Sequence, residues 1–297
     1  MLTTSSRAAA AAFALLLSVT VVSTQPARKV FISVDMEGIS GVSGSEQVSA
    51  SGSEYNQARK LMADDVNAAV RGARKGGATD ILVNDSHGSM RNLRLEDLAP
   101  GVRLISHSFK KSGMMEGLDD TFDAAMFIGY HAQAGSPDGL FAHTGSGVVA
   151  DVRVNGRSLG EGGLNTMVAA WYGVPVVLVT GDDVTVRQVT AVATDARGVV
   201  VKRAINPRAV ELRPFAEVHD EIAAAAADAV AKARRFPPRR EASYTIDMRF
   251  RQLFIPEVAE NLPGMRRPAP DTISFTADTM PRAYTLIRLL YRYINPD

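Results

Sequence analysis

Two acids close the first strand-like run of the sequence. In FISVDMEGISG, Asp35 and Glu37 are separated by a single residue, and residues two apart in an extended segment point the same way. Carboxylates placed so repel each other unless positive charge stands between them. A divalent metal ion supplies that charge, a phosphoryl-transfer site is a second solution, and a solvated loop is a third. Further donors follow along the chain. NDSHG brings Asn84, Asp85 and His87, GYHA brings His131, and SLGEGGLN brings Glu161. Imidazole nitrogen and carboxylate oxygen are the ligands zinc accepts when no thiolate is present, and the chain has no cysteine. His143 stands among small residues in the loop-like FAHTGSGVV; an imidazole left free of metal there moves a proton or stabilises an oxyanion. Asn165, one helical turn beyond Glu161, is a candidate for hydrogen-bonding a substrate in the same cavity. Asn84 and Asp85 are candidates for orienting His87. His107 in LISHS reads as a packed or capping histidine, and His219 in AEVHDE as a surface one.

These residues act together only if the fold gathers them. KVFISVD reads as a buried strand, and SEYNQARKLMADDVNAAVRGARKGG as a helix. Along it Tyr55, Ala58, Leu61, Met62, Val66, Ala69 and Val70 recur at helical spacing, leaving Arg59, Lys60, Asp64 and Arg71 to solvent. TDILVND, VRLISHS and AAMFIGYHA are the next strands, and ADVRVNGRSLG carries an Asn-Gly hairpin signal. GGLNTMVAAWYG reads as a helix, VPVVLVTGDD as a strand and VTVRQVTAVATDA as another helix. This alternation predicts an α/β fold with a mostly parallel, doubly wound sheet over residues 28–205. Ligands of such sheets bind beyond the carboxyl ends of the strands, where Asp35, Glu37, His87 and His131 fall.

From residue 206 to 297 the texture changes. AVELRPFAEVHDEIAAAAADAVAKARRF predicts one long Ala-rich helix stopped by Pro237-Pro238. ASYTIDMRF, TISFTA and a final helix in MPRAYTLIRLLYRYI then make a smaller C-terminal α+β portion.

Composition narrows the partners. Hydrophobic residues make up 46%, charged residues 22%, and the net charge is +1. Charges so evenly interleaved exclude an extended nucleic-acid footprint and favour a small partner. Residues 1–24 have the form of a signal peptide: a polar start with Arg7, an apolar run from Ala8 to Val22, and a cleavage box at Val21-Val22-Ser23. That run is shorter than the roughly 20 residues needed to span a bilayer. The expected location is therefore exported, periplasmic or extracellular, with no membrane span once the leader is removed.

Two rival functions fit parts of the pattern. VDMEGIS and VTGDDVT resemble the haloacid-dehalogenase type of phosphatase, with Asp35 as nucleophile, Asp182 or Asp183 as magnesium ligand, and Glu37 in place of the usual second Asp. That reading leaves His87, His131 and His143 unemployed. An exported α/β chain also suits a periplasmic peptide-binding protein without turnover, which needs a cleft and no convergent metal cluster.

Taken together and in order, SVDMEGISG, ILVNDSHGSM, MMEGLDDTFDAAMFIGYHA, NGRSLGEGGLN and VPVVLVTGDD resemble the D-aminopeptidase family of zinc peptidases. The resemblance covers nearly the whole chain after the leader and weakens past residue 200. It implies that Asp35, Glu37, His87, His131 and Glu161 carry two zinc ions per subunit, with Asp35 bridging and a water shared between the metals. It implies that His143 is the catalytic histidine, that short peptides with an N-terminal D-amino acid are the substrates, as in D-Ala-D-Ala, and that the chain forms a homo-oligomer. The sequence departs from the family at its leader and in the HTGSG segment after His143.

Overall fold

A computed structural model describes Met1 and residues 28–294; the expected signal peptide lies outside the described residues. The chain opens with β1 (Arg28–Val34), the short α1 (Ser45–Val48) and α2 (Tyr55–Lys75). Strands β2 (Ala78–Asp85), β3 (Arg103–Ile105) and β4 (Ala124–Tyr130) follow, then the hairpin of β5 (Val149–Val154) and β6 (Arg157–Ser158). Next come α3 (Glu161–Trp171), β7 (Val176–Asp182), α4 (Asp183–Thr190), β8 (Arg197–Asn206), β9 (Ala209–Leu212) and α5 (Phe215–Lys232). The chain closes with β10 (Tyr244–Phe250), α6 (Phe254–Ala259), β11 (Arg266–Ala269), β12 (Thr272–Ala277) and α7 (Met280–Arg292).

The first sheet runs in the order β3-β2-β1-β4-β7-β8-β9, parallel throughout except for the antiparallel edge strand β9. Strand order reverses direction between β1 and β4. The connections leave opposite sides of the sheet at that switch point, and a crevice opens beyond the strand ends. Asp35 follows β1 directly and His131 follows β4 directly, so the switch point sets two donors face to face.

Alternation along β1 explains the layers. Val30, Ile32 and Val34 belong to a core shared with α2 and α5. Phe31 belongs to a second core, shared with α3, α7 and the other sheet. A strand buried on both faces reads as a continuous apolar run, as KVFISV does. The second sheet is antiparallel, in the order β11-β12-β10-β5-β6. Its β5–β6 turn is the expected hairpin: Asn155 and Gly156 have φ of 49° and 80°, and a two-residue turn of this kind needs both central residues in the left-handed region.

The boundary expected near residue 205 does not coincide with the division between sheets. β8 runs through it, and β9 and α5 extend the first sheet and its helical layer. Conversely β5, from the middle of the chain, pairs with β10 in the second sheet, and β6 adds to its edge through β5. The expected long helix is also divided: AVEL pairs with β8 as an edge strand, and α5 begins only after Pro214, whose ring is incompatible with a helix interior. Strand β8 lies where the α/β reading ended without naming a strand. On α2, Asp65 is fully buried where α5 packs against that helix.

Candidate metal centre

The site begins with a bend that only one residue type permits. Directly after Asp35 the chain turns back over β4, with Gly38 N–H donating to Gly129 O at 2.8 Å. A Cβ on Gly38 would lie 1.8 Å from the Tyr130 carbonyl oxygen, so the approach requires glycine. The bend is pinned from beneath. The fully buried Lys202 of β8 donates through Nζ to Glu37 O (2.6 Å), Ile39 O (3.0 Å) and Val42 O (2.5 Å). Asp65 accepts from Ser40 N at 2.9 Å. The loop bearing Glu37 is thereby fixed to both the sheet and α2.

The expected ligands meet there. His87 Nδ1 lies 2.9 Å from Glu37 Oε2 and 3.3 Å from Asp35 Oδ1. His131 Nε2 lies 3.4 Å from Asp35 Oδ2 and 3.2 Å from Glu161 Oε2. His143 Nε2 is 4.0 Å from Glu161 Oε1, and its ring stacks on His131 with centroids 3.9 Å apart. Two groups of converging donor atoms share His131: Asp35, Glu37 and His131 form one, and His131, His143 and Glu161 the other.

Each imidazole is oriented by a backbone carbonyl. His87 Nε2 donates to Val48 O at 2.8 Å, His131 Nδ1 to Ala132 O at 3.0 Å, and His143 Nδ1 to Phe141 O at 2.8 Å. A carbonyl oxygen only accepts, so the second nitrogen of each ring is turned toward the clustered carboxylates and offers a lone pair when the ring is neutral. Backbone-oriented histidines of this kind are the usual support of a metal site.

The electrostatics ask for a cation. Burial and the Glu37 charge push Asp35 up to about 7. Burial opposes ionisation of Glu37 and Glu161 too, but the His87 and His131 charges outweigh it and hold both below the ordinary range. Burial would lower the histidines, yet the carboxylates win: Glu37 takes His87 well above its usual value, and Glu161 takes His131 to about 10. His143 moves down, through burial and the nearby His131. Among the described residues the buried Nε2 of His131 has no hydrogen-bond partner, an orphan that a metal ion would satisfy. Nitrogen and oxygen donors in this number, without thiolates, fit zinc.

The other sequence candidates are placed differently. Asn84 lies fully buried beneath the loop, donating to Gly113 O at 2.9 Å and accepting from Lys110 Nζ at 2.7 Å. Asp85 accepts from Asn92 N (2.5 Å), Leu93 N (2.8 Å) and Asn92 Nδ2 (2.7 Å). Neither touches the His87 ring. Asp85 acts through Asn92, whose amide donates to His87 O at 2.8 Å, while Val48 orients the ring itself. Asn165 is fully buried and donates to Tyr130 Oη at 2.8 Å; it does not line the cavity. His107 is exposed in the left-handed region. His219 is paired, its Nε2 3.0 Å from Asp65 Oδ1.

Asp182 and Asp183 are spent elsewhere. Asp182 caps α4, accepting from Thr185 N at 2.7 Å and Leu140 N at 2.8 Å, and Asp183 accepts from Ala204 N and Arg187. That removes the magnesium ligand of the phosphatase reading. Sequence spacing missed the far wall of the cavity of about 120 Å³, where Arg288, Tyr291 and Arg292 of α7 join the donors. Arginines at i and i+4 on an amphipathic helix carry the signature of a solvated face.

A parallel sheet whose switch point gathers three carboxylates and three oriented imidazoles defines a hydrolase-type metal centre. Residues 28–289 match the peptidase M55 family, D-aminopeptidase, and the chain belongs to that family. A D-aminopeptidase of Bacillus subtilis (strain 168) is 41% identical over 183 residues, 62% of this chain and 66% of the relative. The aligned part thus spans just under two thirds of that relative. The solved structure of the Zn-dependent D-aminopeptidase DppA from Bacillus subtilis, a self-compartmentalizing protease, superposes with a TM-score of 0.85 at 34% identity. That match covers 91% of this chain and 98% of the other.

Proposed function

We propose that this protein is a zinc-dependent aminopeptidase that hydrolyses short peptides bearing an N-terminal D-amino acid, of the D-Ala-D-Ala type. The convergence of Asp35, Glu37, His87, His131 and Glu161 on one buried point carries the reading. These five residues would hold two zinc ions; Asp35 reaches both histidines, its Oδ1 facing His87 and its Oδ2 facing His131. Zinc bound there supplies Lewis-acid polarisation of the scissile carbonyl and lowers the pKa of the attacking water.

The chain's own groups do the rest. His143 keeps its Nδ1 proton on Phe141 O, so Nε2 is free to accept a proton as water attacks the carbonyl carbon. The C–O bond forms, the C–N bond breaks, and Nε2 returns the proton to the departing amine. Glu161 is held for its task by the Gly145 N–H.

Family membership supports the D-stereochemistry. The signal-like residues 1–24 support export, and with it trimming of peptides released from a cell wall. Homo-oligomerisation is supported by the self-compartmentalizing relative and by exposed apolar side chains at Phe109, Leu253, Phe254 and Val258.

The test is amino-acid release from D-Ala-D-Ala and L-Ala-L-Ala by the purified chain, with zinc and after chelation. Zinc-dependent release from the D-isomer is expected. Equal release from both isomers would remove the stereochemical assignment, and release that survives complete chelation would remove the metal mechanism.

A further inference from the structure

The cavity has an acidic floor and a basic wall. Helix α7 supplies the wall, and three facts fix its position beside the donors. The Tyr291 ring covers Gly145, where a Cβ would lie 2.5 Å from the ring atoms, and Gly145 N–H donates to Glu161. Arg292, one residue on, donates through Nη2 to Gly88 O at 3.0 Å, beside His87. Arg288, one turn earlier on the same face, is only 3% exposed and lines the cavity.

Arg288 is incompletely employed. Its Nη1 donates to Lys110 O at 2.5 Å and Lys111 O at 2.9 Å, while its buried Nε has no hydrogen-bond partner among the described residues. Gly113 makes room for it, since a Cβ there would lie 2.2 Å from Nε. A buried cationic donor without an acceptor is costly. The cost is offset if an acceptor arrives with a ligand. Two guanidiniums repel metal ions and a substrate's ammonium group alike, so they address an anionic part of the ligand. Their planar donor forks match a carboxylate.

Resting on the peptidase reading above, the geometry points to Arg288 and Arg292 as the anchor for the substrate's C-terminal carboxylate. Peptides short enough to place the scissile bond on the Asp35–Glu161 cluster and the terminal carboxylate on α7 are the preferred substrates. The anchor makes the protein a dipeptidase-like enzyme that discriminates against amidated and long peptides.

The experiment compares D-Ala-D-Ala with its C-terminal amide in the zinc-loaded protein, for the wild type, Arg292→Gln and Arg288→Lys. Charge-assisted hydrogen bonds of this kind correspond to about a 10- to 100-fold preference for the acid in kcat/KM. Each variant should bring that ratio toward one, with the change in KM for the acid. Arg292 is exposed, so its variant reports even if Arg288→Lys fails to fold.

A second readout needs no turnover. Calorimetric titration uses the reduced-bond isostere of D-Ala-D-Ala as free acid and as amide. The acid should bind more tightly to the wild type, and the two should bind alike to Arg292→Gln. Acid preference in binding with no hydrolysis of any peptide would keep the anchor and overturn the peptidase reading. A wild type that treats acid and amide equally, or variants that lower both by one factor, would overturn the anchor.

Discussion

Asp85 offers a sharp test of how the site is held, because it touches neither metal-facing atom nor cavity. Its carboxylate takes three hydrogen bonds, at 2.5, 2.8 and 2.7 Å, from Asn92 and Leu93. Through Asn92 Nδ2 it fixes the His87 carbonyl and so the loop that carries the ring. Bonds to a charged acceptor are worth roughly 1.5–3 kcal/mol each. The low end applies, because burial pushes the Asp85 carboxyl above its ordinary value and some of that strength already offsets desolvation. Asp85→Ala therefore loses about 4–5 kcal/mol of bonding and recovers part of the desolvation cost, for a net loss of about 3 kcal/mol. For a chain of this size that lowers Tm by roughly 6–9 °C. The distinctive expectation concerns zinc. Affinity in competition with a chromophoric chelator should fall about 10- to 100-fold, measured well below the variant's Tm, and Asp85→Asn should fall less because its Oδ1 still accepts. A variant that loses stability while binding zinc as tightly as the wild type would refute the coupling of Asp85 to His87. One that loses neither would refute the whole account of the loop.

Three further outcomes follow from the same geometry. Glu161→Gln should lose metal content and turnover together, since Glu161 faces both His131 and His143; full metal by elemental analysis with full turnover would remove it from the centre. The hydrogen bond to Asp65 raises His219 above its ordinary value of 6.5. A histidine raised in the folded state contributes stability that is complete below the unfolded pKa and is lost as pH rises through the folded one. Denaturant midpoints of the wild type and His219→Gln should thus differ most at acid pH and converge at alkaline pH, and a gap that widens with rising pH would contradict the pairing. Gly72→Ala should lower Tm even though alanine gains up to about 1 kcal/mol in helix propensity. The new Cβ would lie 2.2 Å from the Ala223 carbonyl oxygen of α5, and overpacking costs about 1–3 kcal/mol. A raised Tm would mean that the two helices separate freely.

Much of the centre was legible in the sequence because its donors sit at strand ends. Strand periodicity fixes which residues end a strand, and a parallel sheet puts all those ends on one edge. Asp35, Glu37, His87 and His131 come together for this reason, and Glu161 joins them by opening the helix after the hairpin. Asn165 sits one turn beyond Glu161 but faces Tyr130 rather than the cavity, because helical spacing gives a face and not what that face meets. Asp85 was read as a partner of the His87 ring, yet the ring's partner is Val48 O, a backbone atom that no residue type announces.

What the sequence determined by itself is therefore local and periodic: most of the strands and helices, the Asn-Gly turn, the chemical identity of the donors and the absence of thiolates. Tertiary structure decided the rest. It set the strand order that makes β1 and β4 neighbours and the burial of Asp65 and Lys202 as pins beneath the site. It also brought α7 over the cavity, some 120 residues after Glu161, the last donor of the cluster. Contacts between distant elements depend on how whole surfaces pack, and the packing energy of a surface is spread over many side chains rather than written in the spacing of a few.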